Sequence, residues 1–264
     1  MVMTLDGKVK IFFVAEAATL AHVVRLIVLA KALNPKRYDV HFACAPGYEH
    51  LLDGSGVTLW PIKSISEQQF LEAIAKGVPP YSEKTLMGYI EDDLQILNAV
   101  RPDFLVGDNR FSLAISAPIS KVPYAALINA HWSSYSLLPR FPMPEHPMVD
   151  AFGLTVASFL ARWVRPITFK LFARPVNRLR RKYGLPTLGD LCDVLVRPGD
   201  YTLFADTPGF SPTANLPSNY RYIGPILWSP DMAIPDWWNS LSAERPCVYV
   251  TFGSSLARWS YCRW

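Results

Sequence analysis

The chain has 264 residues, of which 50% are hydrophobic and 18% charged, with a formal net charge of +4. That composition supports a sizeable core in one large or two ordinary domains, and a charge this mild, without basic runs interleaved with stacking aromatics, excludes nucleic acid as a partner. The four cysteines, Cys44, Cys192, Cys247 and Cys262, are scattered with no Cys-x-x-Cys and no histidine at ligand spacing, so neither a metal site nor a disulfide framework is expected.

Asp6 and Glu16 flank the first apolar run, unlike a signal peptide, and no stretch offers the roughly 18 apolar residues of a spanning helix. The expectation is a cytoplasmic protein, soluble or peripheral to a membrane. Lys8 to Ala15 is a β-branched and aromatic run of strand length. A small-residue loop, Glu16 to Ala21, follows. His22 then opens a run in which Val23, Leu26, Ile27, Ala30 and Leu33 recur at the helical period. In an open parallel sheet, ligands bind outside the carboxyl ends of the strands, which is where this loop falls. A histidine in the first turn of a helix feels the positive end of the dipole, which favours the neutral ring. On position alone, a base and an ordinary helix-starting residue are equally good readings of His22.

Tyr38 to Cys44 alternates as a second strand, a short helix runs to Leu52, and Val57 to Trp60 makes a third strand. Gly54-Ser55-Gly56 follows a helix and lacks the third glycine of a dinucleotide fingerprint, so it reads as a turn. Ser66 to Lys76 and Ser82 to Val100 read as helices, the second with Leu86, Ile90, Asp93, Leu97 and Val100 along one side. Phe104 to Gly107 is a fourth strand that runs into Asp108, Asn109 and Arg110 before a helix from Phe111 to Ser120. Asp108 thus shares the position of His22, although capping the next helix is the commoner use of an aspartate there. Val122 to Ile128 is the next strand, and it leads into a polar and aromatic loop with His131 and Trp132. Its composition suits a pocket wall or plain packing.

Val149 to Tyr183 reads as helix broken near Pro166 and Pro175. No acidic residue lies between Asp150 and Asp190, while Arg162 to Lys182 is rich in arginine and lysine beside phenylalanine, leucine and tryptophan. Such a segment can lie on an anionic membrane, although packing its apolar face on the sheet is the default for any globular helix. Tyr201 to Ala205 is a further strand. The organisation expected is a first domain over 1–225, a proline-punctuated linker over 226–244, and 245–264 as the start of a second domain. There Cys247 to Phe252 is a buried-type strand, and Gly253-Ser254-Ser255 is a small-residue loop whose amides can approach a phosphate.

The order of these motifs resembles the nucleotide-sugar glycosyltransferases of the family-1, two-domain GT-B type, which includes bacterial macrolide and plant or animal glucuronosyl and glucosyl transferases. The resemblance rests on Ile11 to Ala21 with His22, on Leu105-Val106-Gly107-Asp108, on Tyr222-Ile223-Gly224-Pro225, and on Val248 to Ser255. It implies an α/β fold with a Rossmann-like parallel sheet binding the acceptor, and a second domain binding the nucleotide sugar, UDP-linked in many relatives. His22 matches the general base that takes the proton of an acceptor hydroxyl, so that the oxygen attacks the anomeric carbon with inversion. Asp108 matches the residue that orients it, and Gly253 and Ser254 match the loop touching the donor diphosphate. Asn109, His131 and Trp132 fall on the side of an apolar or lipid-like acceptor. No metal and no cofactor beyond the nucleotide-sugar co-substrate are implied. Relatives usually carry Gly-His with a proline a few residues on, whereas this chain has Ala21-His22-Val23-Val24-Arg25.

The run Leu256 to Trp264 does not continue the family pattern, and most of a donor domain does not follow. The expectation is therefore a truncated enzyme, an acceptor half inactive alone and binding nucleotide sugar only if a donor domain is supplied. The alternative is a non-catalytic acceptor-binding or membrane-docking subunit of a split GT-B enzyme.

Overall fold

Strand β1 (Val9–Ala15) sends alternate side chains into two separate cores. Phe13 and Ala15 pack with Val23, Leu26 and Ile27 of helix α1 (Leu20–Ala32) on one face. Phe12 and Val14 pack on the other with Leu97 of α3 (Glu83–Val100) and Leu113 of α4 (Leu113–Ser120). Burial on both faces is what makes strands of a parallel sheet apolar without alternation.

The computed structural model describes residues 7–138, 147–230, 232–241 and 244–248. The remaining strands are β2 (Tyr38–Cys44), β3 (Thr58–Pro61), β4 (Phe104–Asp108), β5 (Tyr124–Ile128), β6 (Tyr201–Phe204) and β7 (Tyr220–Tyr222). All seven form one parallel sheet in the order β3-β2-β1-β4-β5-β6-β7. The order reverses between β1 and β4, where Ala15 lies opposite Asp108. Crevices at such switch points, outside the carboxyl ends of the strands, are where open α/β sheets bind ligands. The other helices are α2 (Glu67–Ala75), α5 (Pro147–Lys182) and α6 (Leu191–Val196). Serines cap α2 and α3: Ser66 accepts from the Gln69 amide and Ser82 from that of Thr85.

Two elements differ from the sequence reading. α5 runs through Pro166 and Pro175 and breaks instead at Gly153, whose φ of 73° only glycine adopts without strain. Proline removes one helical hydrogen bond, and packing holds the helix together around Pro175. Around Pro175, Ala173, Val176 and Leu179 are buried against Leu86 and Ile90 of α3 and Ile115 of α4. β7 has no counterpart among the strands expected from the sequence. It is three residues long, too short to show a period, and is fixed by pairing Thr202 to Tyr220 and Phe204 to Tyr222.

The chain divides into two units, Met1–Ile226 and Leu227–Trp264. Among the described residues of the second unit, Asp236–Ser240 forms a 3-10 turn. Tyr249 to Phe252, read as most of a strand, and the diphosphate-loop candidates Gly253 and Ser254 lie outside the described residues. No described helix is long and apolar enough to cross a membrane.

Candidate active site

β1 ends at Ala15, and its loop returns over the end of β4, with the Glu16 amide donating to the Asp108 carbonyl at 3.1 Å. Helix α1 then starts at Leu20, which places His22 in its first turn above the switch point. His22 Nδ1 lies 2.8 Å from Asp108 Oδ1. The carboxylate is fully buried, whereas the histidine side chain keeps 20% of its surface exposed. Asp108 does not cap the next helix: α4 begins at Leu113 with Ser112 at its N-cap position.

Arg25, one turn after His22, completes the cluster. It donates from Nε to Asp108 Oδ2 and from Nη2 to Oδ1, both at 2.9 Å, a two-pronged grip on the carboxylate. Its Nη2 also lies 3.3 Å from His22 Nδ1. Nη1 donates to Asn129 Oδ1 at 2.8 Å, and Asn129 Nδ2 donates to Asp206 Oδ1 at 3.0 Å. Asp206 Oδ2 accepts the Ala130 amide at 2.5 Å. One polar chain therefore ties together the residues that follow β1, β4, β5 and β6. The sequence reading contained neither Arg25 nor Asp206 as a site residue. Residues three apart on a helix share a face, which sets Arg25 on the side of His22, but nothing in the sequence marks it or Asp206 as part of a site.

The acceptor-side candidates sit on the same rim. Asn109 follows Asp108 with φ of 56°, a left-handed conformation that asparagine tolerates better than most residues. His131 and Trp132 form a 3-10 turn after β5, their rings 5.5 Å apart, and Trp132 lies 6.4 Å from Phe169 of α5. Desolvation pushes the His131 imidazole below its usual value, against the pull of Asp206.

A second charged cluster lies beneath the rim, buried and away from the dyad. Arg110 Nη1 donates to Glu16 Oε2 at 3.1 Å and to the Lys63 carbonyl at 2.5 Å, and its Nη2 donates to Asp93 Oδ1 at 3.1 Å. The Tyr89 ring faces the guanidinium at 3.7 Å. Burial raises the Glu16 carboxyl above the usual range, while Arg110 and Ser64 oppose it. Ser64 also bonds Glu16 and accepts the Ala17 amide, so this cluster braces the loop that leads to His22. A cleft of about 620 Å³ opens at the ends of β2 and β3 between Trp60, Pro61, Asp92 and Ile96, and His22 does not line it. Among the described residues no group of histidine, cysteine, aspartate or glutamate is arranged to hold a metal ion.

A histidine whose one ring nitrogen is fixed by a buried carboxylate, and which faces a sheet rim, is equipped to take a proton there. No family model matches the chain. It is 50% identical over 247 residues to the inactive PGL/p-HBAD biosynthesis glycosyltransferase of Mycobacterium bovis (strain BCG / Pasteur 1173P2), covering 93% of this chain and 67% of that one. It is 45% identical to the PGL/p-HBAD biosynthesis rhamnosyltransferase of the same organism, covering 94% of this chain and 55% of the other. Among solved structures, the SsfS6 glycosyltransferase of Streptomyces sp. SF2575 matches 87% of this chain and 58% of its own, with a TM-score of 0.52 at 12% identity. That likeness shows the fold, the GT-B glycosyltransferase type. The chain spans about two thirds of one relative and little over half of the other. The chain belongs to the PGL/p-HBAD biosynthesis glycosyltransferase family.

Proposed function

We propose that this chain is the acceptor side of a glycosyltransferase in which His22 is the general base and Asp108 its orienting partner. The observation that carries the reading is the 2.8 Å contact between His22 Nδ1 and a fully buried carboxylate at the switch point of the sheet. With Nδ1–H donated to Asp108, the Nε2 lone pair receives the proton of an acceptor hydroxyl. The oxygen attacks the anomeric carbon of a nucleotide sugar, the bond to the diphosphate breaks, and the configuration inverts. Asp108 then stabilises the imidazolium, and no metal takes part. The acceptor is an apolar or lipid-like hydroxyl compound bound near Asn109, His131 and Trp132. The diphosphate, UDP in the first instance, is held by the segment containing Gly253 and Ser254 together with a donor domain. The rhamnosyltransferase named among the relatives adds deoxyhexose donors to the sugars worth testing.

The test fuses residues 1–230 to the C-terminal part of the M. bovis rhamnosyltransferase and measures sugar transfer. His22→Ala is expected to lower kcat by about 10²–10⁴, the usual weight of a general base. Equal transfer by the alanine variant would remove His22 from the chemistry. One relative bears the name inactive, which favours a second reading, a non-catalytic acceptor-binding subunit. A chimera that binds acceptor and transfers nothing supports that reading.

A further inference from the structure

A globular helix ordinarily turns its apolar stripe inward. The N-terminal half of α5 does the opposite. Val156, Phe159, Leu160, Trp163, Ile167 and Leu171 recur every three or four residues, within an arc of about 120° at 100° per residue. All six are exposed, Phe159 by 63% and Trp163 by 68%. The buried residues of α5, among them Ala157, Phe172, Ala173 and Val176, lie outside that arc. Toward the C-terminus the same face continues in Lys170 and Arg174, with Arg162 beside it, all exposed. No acidic residue lies anywhere between Asp150 and Asp190.

We propose that this face of α5 docks on an anionic membrane surface, lying in the plane of the interface without crossing it. Aromatic and aliphatic side chains enter the boundary between headgroups and acyl chains, and the cations meet lipid phosphates, the pattern of an interfacial amphipathic helix. Charge selects this occupant: a second copy of the chain would bring one cationic face against another. The ring contact between Trp132 and Phe169 sets α5 beside the acceptor rim. On the proposed function, and only on it, docking also brings the site within reach of an acceptor that partitions into lipid.

The experiment floats the full chain with phosphatidylcholine vesicles, with or without about one third phosphatidylglycerol. Binding to the anionic vesicles is expected, weakened by salt because exposed charges are screened. Lys170→Glu with Arg174→Glu should weaken it roughly tenfold or more, since each cation near the surface contributes measurably to attraction. Phe159→Ser with Trp163→Ser should do likewise, while Phe210→Ser, at an exposed phenylalanine of a loop after β6, should have no effect. Melting temperature is followed throughout. If the serine pair fails to fold, the charge-reversal pair decides. Absence of binding to anionic vesicles, or binding that neither pair weakens, overturns the proposal. So does a dimer that the serine pair converts to monomer while vesicle binding persists, which would assign the face to a second copy. None of these readouts depends on sugar transfer, so failure here leaves the role of His22 untouched.

Discussion

Arg25 does two things at once to a single carboxylate. It satisfies both oxygens of buried Asp108, and it hands the network on to Asn129 and Asp206 beyond β5. Removing it leaves a buried carboxylate with only the histidine, and breaking a buried pair on one side costs about 3–5 kcal/mol. Arg25 keeps some solvent contact, so Arg25→Leu is expected to lose about 3 kcal/mol in urea unfolding, the lower end of that range. Arg25→Lys should lose less, since it keeps the charge but not the fork. A leucine variant as stable as wild type would mean that Asp108 does not depend on this contact. Their place after a strand and before a helix made His22 and Asp108 candidates in the sequence, and the family resemblance assigned them their roles. Arg25 could not be found in this way, because three residues on from a histidine an arginine is an ordinary surface residue until the fold brings Asp108 beneath it. Asp93 carried a clearer signal, an acid within the apolar stripe of α3, and it meets Arg110 in the buried cluster.

The end of β4 sets where Asp108 stands, and Gly107 sets how closely α4 and β5 pack there. A methyl group at position 107 would run into Leu113 Cδ1 and come within 2.9 Å of the Tyr124 hydroxyl. Gly107→Ala is therefore expected to cost about 1–3 kcal/mol as overpacking. In the chimera it should also lower transfer by displacing the strand end. Thermal unfolding checks the first effect, and an unchanged melting temperature would show that Leu113 and Tyr124 give way freely. Helix and strand periods made β1, α1, β2 and α3 legible, since each is long enough to repeat its pattern. The three residues of β7 are not, and in α5 a break at Gly153 outweighed two prolines because the helix C-terminal to it is packed against α3 and α4.

Across the whole molecule, the strands and helices alternate as the parallel sheet implied by the family resemblance requires, and the sheet order puts the site at β1 and β4. Distant pairings such as Asn129 with Asp206 are products of that order and have no local trace. The first unit, Met1–Ile226, contains all seven strands and the four buried clusters, with Ile226 at its very end as a partly buried neighbour. Deleting residues 227–264 is expected to leave cooperative unfolding and a melting temperature within about 2–4 °C of the full chain, the shift of about 1 kcal/mol in a domain of this size. Loss of cooperative melting would show that the sheet needs the second unit.

On the proposed function, Asp108 holds His22 as the Nδ1–H tautomer and leaves Nε2 to act as base. Two-bond proton–nitrogen NMR correlations of the histidine rings in the full chain, above neutral pH, read this directly, with His22→Ala assigning one pattern among the five histidines. His22 is expected to carry its proton on Nδ1, and Asp108→Asn to abolish or mix that pattern. A His22 ring protonated at Nε2 in the wild-type chain would contradict this.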